Sequence, residues 1–116
     1  MSRDWQTCLA EIATAGEKVT LFTARMDRET FFGEDRTFHA VILCRLIIGE
    51  AAKHIPDDVR RRMPAIESRE VAGMRDFLAH LYFSINSDIV WDVIKTKVPE
   101  LLRAVEAFKK EDTVDP

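Results

Sequence analysis

Long apolar runs are what this sequence most clearly lacks. Its greasiest stretch, Ala40 to Gly49, is interrupted by Arg45, and a membrane-crossing helix needs roughly 20 consecutive apolar residues. The opening MSRDWQTCLAEI carries Asp4 and Glu11 and no apolar signal core, so a cytoplasmic location is the default expectation. The four glycines, Gly16, Gly33, Gly49 and Gly73, stand isolated, which excludes a glycine-rich phosphate loop. Two cysteines, Cys8 and Cys44, lie far apart within helical patterns; both are expected to stay reduced and buried. With His39, His54 and His80 they show no metal-ligand spacing, so no metal is expected. Positive charge is also scarce. The net charge of −3 supplies no global field to attract nucleic acid.

The charge is unevenly distributed, however. From Lys53 to Arg75 there are six basic residues against four acids, a window of +2 that leaves the remainder at −5. A local basic surface is therefore available, and pairing two chains would enlarge it. Arg60, Arg61 and Arg62 read first as a solvated charged turn, with RNA contact as the alternative.

What remains is a single domain over residues 1–116, all-helical, with an acidic tail from about residue 111. Asp4 can cap a first helix on which Trp5, Leu9, Ile12, Ala13, Val19, Leu21 and Phe22 form one face, fading near Met26. RETFFG reads as a short helical turn broken at Gly33, with a restart near Glu34 or Asp35. The next helix, about Asp35 to His54, is apolar around nearly its whole circumference. Such a helix is buried on more than one side, and in a chain of 116 residues the second side is most simply a partner copy. Pro56 ends it, and a short helix capped by Asp57 closes at Pro64. Ser68 restarts a helix running to about Tyr82. SINSD then breaks it and caps a last helix from about Ser87 to Lys110, which Pro99 should kink or divide. The expected architecture is an up-down bundle of four to five helices, homodimeric.

The segment MRDFLAHLYF, Met74 to Phe83, carries polar groups that its apolar pattern does not require. Arg75 and Tyr82, the chain's one tyrosine, are seven apart and nearly eclipse on a helix. His80 is five on from Arg75, about 140° around the axis. A long arginine, a loosened last turn, or the same residues from a second subunit would have to bring the two together. Asp76 can orient His80 four residues on. Together these side chains offer a phosphate clamp, a proton carrier and a hydroxyl. Glu50, a carboxylate in the greasy IIGEAA stretch, either pairs locally with Lys53 or His54 or points into a polar site.

The ordered set AVILCRLIIGEAAKHIP, then MPAI, then VAGMRDFLAHLYFSINSDIVWDVIKTKVPEL resembles the HepT-like branch of the HEPN superfamily. The family's R-x4-H-x-Y motif matches Arg75, His80 and Tyr82. Its IGEA helix matches Ile48 to Ala51, and the elements after the motif match Asp88, Val90, Trp91 and Val98 to Leu101. The likeness spans roughly Phe31 to Phe108. Asp76 stands where the family often has Asn, and Leu81 where it often has Gly. Asp76 adds negative charge where a phosphate would sit, and it can equally orient His80.

The resemblance implies a ribonuclease toxin of a type II/VII-like toxin–antitoxin pair, metal-independent and without a cofactor. Its site would form where the motifs of two subunits meet, with Arg75 and His80 catalytic and Tyr82 lining it. The implied partner is an MntA-like minimal nucleotidyltransferase antitoxin, which would use ATP to adenylylate Tyr82. The alternative is a non-catalytic nucleotide- or substrate-binding subunit of a minimal nucleotidyltransferase complex. A purely structural helical dimer would leave Arg75, His80 and Tyr82 unexplained.

Overall fold

The computed structural model describes residues 4–64 and 87–114. Every regular element among them is helical, as the composition implies. Helix α1, Trp5–Thr23, begins where the Asp4 side chain accepts the Gln6 amide at 3.3 Å, satisfying one of the amides that a helix start leaves without a partner. Its buried face is Cys8, Leu9, Ile12, Ala13, Ala15, Gly16, Val19 and Thr23, a stripe that recurs every three to four residues with period near 3.6. The Thr23 hydroxyl is buried yet satisfied, donating to the Val19 carbonyl at 2.8 Å. Leu21 and Phe22 do not belong to that face. Leu21 is 72% exposed and Phe22 39%: Leu21 lies about 200° around the axis from Val19 and faces away from the core, and Phe22 stands at the edge of the buried face. The helix also ends earlier than Met26, closing through the Met26 amide bonded to the Thr23 carbonyl.

Helix α2, Arg28–Gly33, is capped by Asp27, whose carboxylate accepts the Thr30 amide at 2.8 Å. That bond holds the Asp27 carboxyl below its ordinary value. Gly33 is not the break itself: no glycine has a positive φ among the described residues, and Gly33 remains helical. The turn is made by Glu34, extended at φ −111° and ψ 101°. Helix α3, Asp35–Ala52, starts from Glu34 without a side-chain cap; the Glu34 carboxylate instead accepts the Thr37 hydroxyl at 2.6 Å.

Helix α3 packs along α1 and is buried at Val41, Ile42, Cys44, Ile48, Gly49, Ala51 and Ala52. It stops two residues before His54. Helix α4, Asp57–Arg61, takes Pro56 rather than Asp57 as its cap, so Asp57 and Asp58 lie in the first turn, where the helix dipole favours acids. Arg60 and Arg61 have local structural tasks. Arg60 donates to the carbonyls of Ile55 (3.0 Å) and Lys53 (3.3 Å), and Arg61 to that of Asp57 (3.3 Å).

Beyond residue 86 come α5, Ser87–Asp92, a π-helical turn Val93–Lys97, and α6, Val98–Val114. Pro99 explains the wide turn. It has no amide to give the Lys95 carbonyl and its ring crowds that carbonyl in a regular helix. The Val98 amide instead bonds five residues back, to the Val93 carbonyl. Each four-residue step overshoots a regular helical face by about 40°, and the wider turn absorbs this, so that Val90, Ile94 and Val98 all reach the core. The division expected at Pro99 thus occurs just ahead of it. Phe31, fully buried, anchors this half of the core against Phe32 (ring centroids 4.9 Å apart), Phe38 and Trp91 (both 5.8 Å).

Candidate functional site

Arg75, Asp76, His80, Leu81 and Tyr82 lie outside the described residues, as does the helix expected from Ser68. What the structure supplies is the frame on both sides of that segment, together with Glu50. Glu50 is half-buried on α3 and pairs with Lys53, Nζ to Oε1 at 3.1 Å. This is the local pairing anticipated for it; Glu50 makes a further interaction as well.

The frame includes one charge whose burial the hydropathy pattern does not disclose. Arg45, mid-helix in α3, is 3% exposed. A guanidinium in such a place requires a partner, and it has one. The only signal for this in the sequence is that Arg45 interrupts an otherwise apolar decamer.

Arg28 of α2 reaches across to α5, the first helix after that segment. Its Nη2 donates to the Ser87 hydroxyl at 2.9 Å, and Nη1 pairs with the Asp88 carboxylate. The guanidinium also lies 5.9 Å from the centre of the Phe32 ring. Beside this junction is an open cavity of about 730 Å³ lined by Arg28, Glu29, Phe32, Asp35, Phe38 and Ser87. Its walls combine two phenyl rings with both signs of charge. From the sequence alone these residues read only as helix and turn. Their sole prior sign is the density of aromatics between Phe31 and Phe38.

A second cavity, about 680 Å³, is a groove between α1 and α3. Its apolar walls include Phe22, Ala40, Leu43 and Ile47, with Glu11 and Lys18 among its charges. Leu43 is 57% and Ile47 38% exposed, so α3 presents apolar surface to solvent opposite its buried face. Cys44, also on this groove, is 5% exposed. Burial pushes its thiol above the ordinary value, with the charge of Lys18 opposing part of the shift. Both cysteines are free.

Among the described residues no cluster of three His, Cys, Asp or Glu is placed to hold a metal ion. His39 turns its Nδ1 to the Asp35 carbonyl at 2.8 Å on the exposed surface. No helix among these residues is long and apolar enough to cross a membrane.

Comparison with known proteins agrees with the pattern around these elements. A protein of Thermococcus cleftensis named "Probable ribonuclease HepT" is 39% identical over 110 residues, covering 95% of this chain and all of that one. Two Methanocaldococcus jannaschii proteins, provisionally named as RNases, are 38% and 37% identical over 109 residues each. The matches cover 94% of this chain and 94% and 90% of the relatives. No solved structure matches the chain. Residues 12–108 match the family described as Ribonuclease HepT-like, and the chain belongs to that family.

Proposed function

We propose that this chain is a metal-independent endoribonuclease whose site is composed across a homodimer. The observation that carries the reading is the family match over residues 12–108, which encloses Arg75, His80 and Tyr82 in the R-x4-H-x-Y order. In this reading His80 of one subunit takes the proton from a ribose 2′-hydroxyl, whose oxygen attacks the adjacent phosphorus. The bond from phosphorus to the 5′-oxygen breaks, and that oxygen is protonated by the imidazolium that the same His80 has become, while the second subunit's copy of the motif supplies Arg75. The products are a 2′,3′-cyclic phosphate and a 5′-hydroxyl. A histidine is suited to both roles because its ordinary pKa near 6.5 lies close to neutral pH. Arg75 holds the phosphate and stabilises the charge that grows on its oxygens.

The dimer draws support from the exposed apolar surface of α3 and the groove beside it. Leu43 and Ile47, with Phe22 across the groove, form a face of the kind that a second copy covers. Asp76 is assigned to orienting His80, and Glu50 to the supporting frame.

The chain is further proposed to be the toxin of a pair whose antitoxin, an MntA-like minimal nucleotidyltransferase, adenylylates Tyr82 with ATP. An adenylyl group on that phenol adds bulk and negative charge where RNA phosphate would enter. Coexpression with a nucleotidyltransferase of that class should raise the intact mass by whole adenylyl units, and Tyr82→Phe should show no gain. An unchanged wild-type mass would contradict the regulatory part. The catalytic part is tested by RNA cleavage in EDTA, which Arg75→Ala and His80→Ala should each abolish.

A further inference from the structure

The cavity at the junction of α2, α3 and α5 has a composition that bears on what it can hold. Phe32 and Phe38 lie on its wall with ring centroids 6.1 Å apart and planes inclined at 48°. Both rings are only partly buried and line the cavity, so each offers it ring surface that a flat guest can pack on. The charges around them do not suit a phosphate. Arg28 is the one basic group on the wall, and it is already committed to Asp88 and Ser87. Glu29 and Asp35 add two carboxylates, so the cavity would repel an anion. A neutral aromatic heterocycle bearing hydrogen-bond donors satisfies both requirements: its face stacks on a phenyl ring and its donors meet a carboxylate.

We propose that this cavity is a base-binding subsite for single-stranded RNA, in which a guanine stacks on Phe32 and presents its Watson–Crick edge to the carboxylates of Glu29 and Asp35. The inference rests on the ribonuclease reading for its substrate class. Unpaired bases are commonly held by aromatic stacking with hydrogen bonds to that edge. Guanine is selected because its N1–H and N2–H₂ are adjacent donors that one carboxylate accepts together. Adenine and cytosine offer one amino group on that edge, and uracil one imino group beside two carbonyls that a carboxylate repels. Arg28 contributes by fixing the wall, since it ties Phe32 of α2 to the start of α5. Ser87 follows Tyr82 by five residues, a length of chain that reaches about 18 Å at most. A nucleotide held here would thus lie within a few nucleotides of Tyr82, and the subsite would bias which linkage is cleaved.

The test uses purified full-length protein and fluorescein-labelled 2′-O-methyl hexanucleotides, which bind but offer no 2′-hydroxyl for attack. One probe carries a single guanine in an oligouridine context and the other is all uridine. Fluorescence anisotropy should show the guanine probe binding about 10-fold more tightly, within the range that one stacked, paired base contributes. Phe32→Leu should weaken the guanine probe by about 10-fold. Glu29→Gln combined with Asp35→Asn, both at exposed positions, should reduce the preference to below about 2-fold. Circular dichroism verifies that each variant is folded. Equal binding of both probes by the wild type, failure to bind either, or an undiminished guanine preference in the folded carboxylate variant would overturn the proposal. Because these probes cannot be cleaved, a guanine preference without cleavage of ordinary RNA would count against the ribonuclease reading and leave the subsite standing.

Discussion

The Arg62 guanidinium lies over the ring of Phe108, 4.4 Å from its centre, while its Nη2 pairs with Glu111 at 3.2 Å. One side chain thus fastens the end of α4 to α6, across 46 residues of sequence that include the segment bearing Arg75, His80 and Tyr82. The basic run Arg60–Arg62 is accounted for by this contact and by the carbonyls that Arg60 and Arg61 satisfy. It is a clamp on the frame around the motif, and RNA contact there is not needed to explain it.

Arg62→Ala should therefore lower stability by about 1 kcal/mol, since an exposed ion pair contributes little and a cation over a ring about 0.5–1 kcal/mol. A double-mutant cycle with Phe108→Leu, read by urea denaturation, should give a coupling of about 0.5–1 kcal/mol. Strict additivity would show that the stacking contributes nothing.

Two glycines should respond oppositely to substitution. A Cβ on Gly33 would meet nothing within 4 Å, and its φ is not positive. Gly33→Ala should stabilise by about 0.4–1 kcal/mol through the lost freedom of the unfolded chain. A Cβ on Gly16 would lie 2.9 Å from Leu102 Cδ2, where α1 and α6 pack. Gly16→Val adds two more carbons to that contact and should cost about 1–3 kcal/mol. Thermal unfolding checks both, and a destabilised Gly33→Ala or a stabilised Gly16→Val would contradict the packing described.

The apolar groove between α1 and α3 predicts an oligomer. Light scattering at micromolar concentration should give a dimer for the wild type, and Leu43→Glu with Ile47→Glu should shift it to monomer. Both residues are exposed, so the fold should survive. A dimer unaffected by the pair of charges would place the interface elsewhere.

Titration offers two further readouts. The Asp27 carboxyl, held below its ordinary 3.8 by the Thr30 amide, contributes stability that is present above that value. It is lost as pH falls through the lower folded-state value, and Asp27→Asn should flatten this acid limb. The Cys44 thiol is pushed above its ordinary 9.0, so the unfolded chain ionises first and stability should fall as pH rises beyond 9.0. Alkylation of Cys44 by iodoacetamide in the folded protein should be slower than that of the denatured chain, because the thiolate is the nucleophile. Equal rates would show that Cys44 is not shielded.

Much of the frame could be read from the sequence because local rules and tertiary packing agree along it. Asp4 caps α1 as its side-chain chemistry predicts, and Pro99 disrupts the last helix because it lacks an amide. Glu50 finds Lys53 one turn on. The discrepancies arise where the partner is distant in sequence. Leu21 is an exception of local origin: it matches the α1 face in hydropathy but lies about 200° around the axis from Val19, which turns it outward. Arg45 is buried although it interrupts the apolar run of α3, and no local pattern records that. The cavity lined by Arg28, Phe32 and Ser87 depends on a contact spanning 59 residues, so its walls are unrelated until the bundle closes. The motif itself was legible through family order, since an ideal helix sets Arg75 and His80 about 140° apart and gives no reason for them to act together.

That angular separation makes subunit mixing the most direct test of a site composed across the dimer. Wild-type protein should cleave RNA in the presence of EDTA, and Arg75→Ala and His80→Ala should each be inactive alone. Unfolding and refolding the two variants together should form mixed dimers in which one composite site retains its Arg75 and its His80. The account predicts that cleavage returns, toward about a quarter of the wild-type rate if half of the dimers are mixed and each carries one of two sites. A mixture as inactive as its components would contradict the composite site, and cleavage undiminished in either single variant would contradict the catalytic assignment itself.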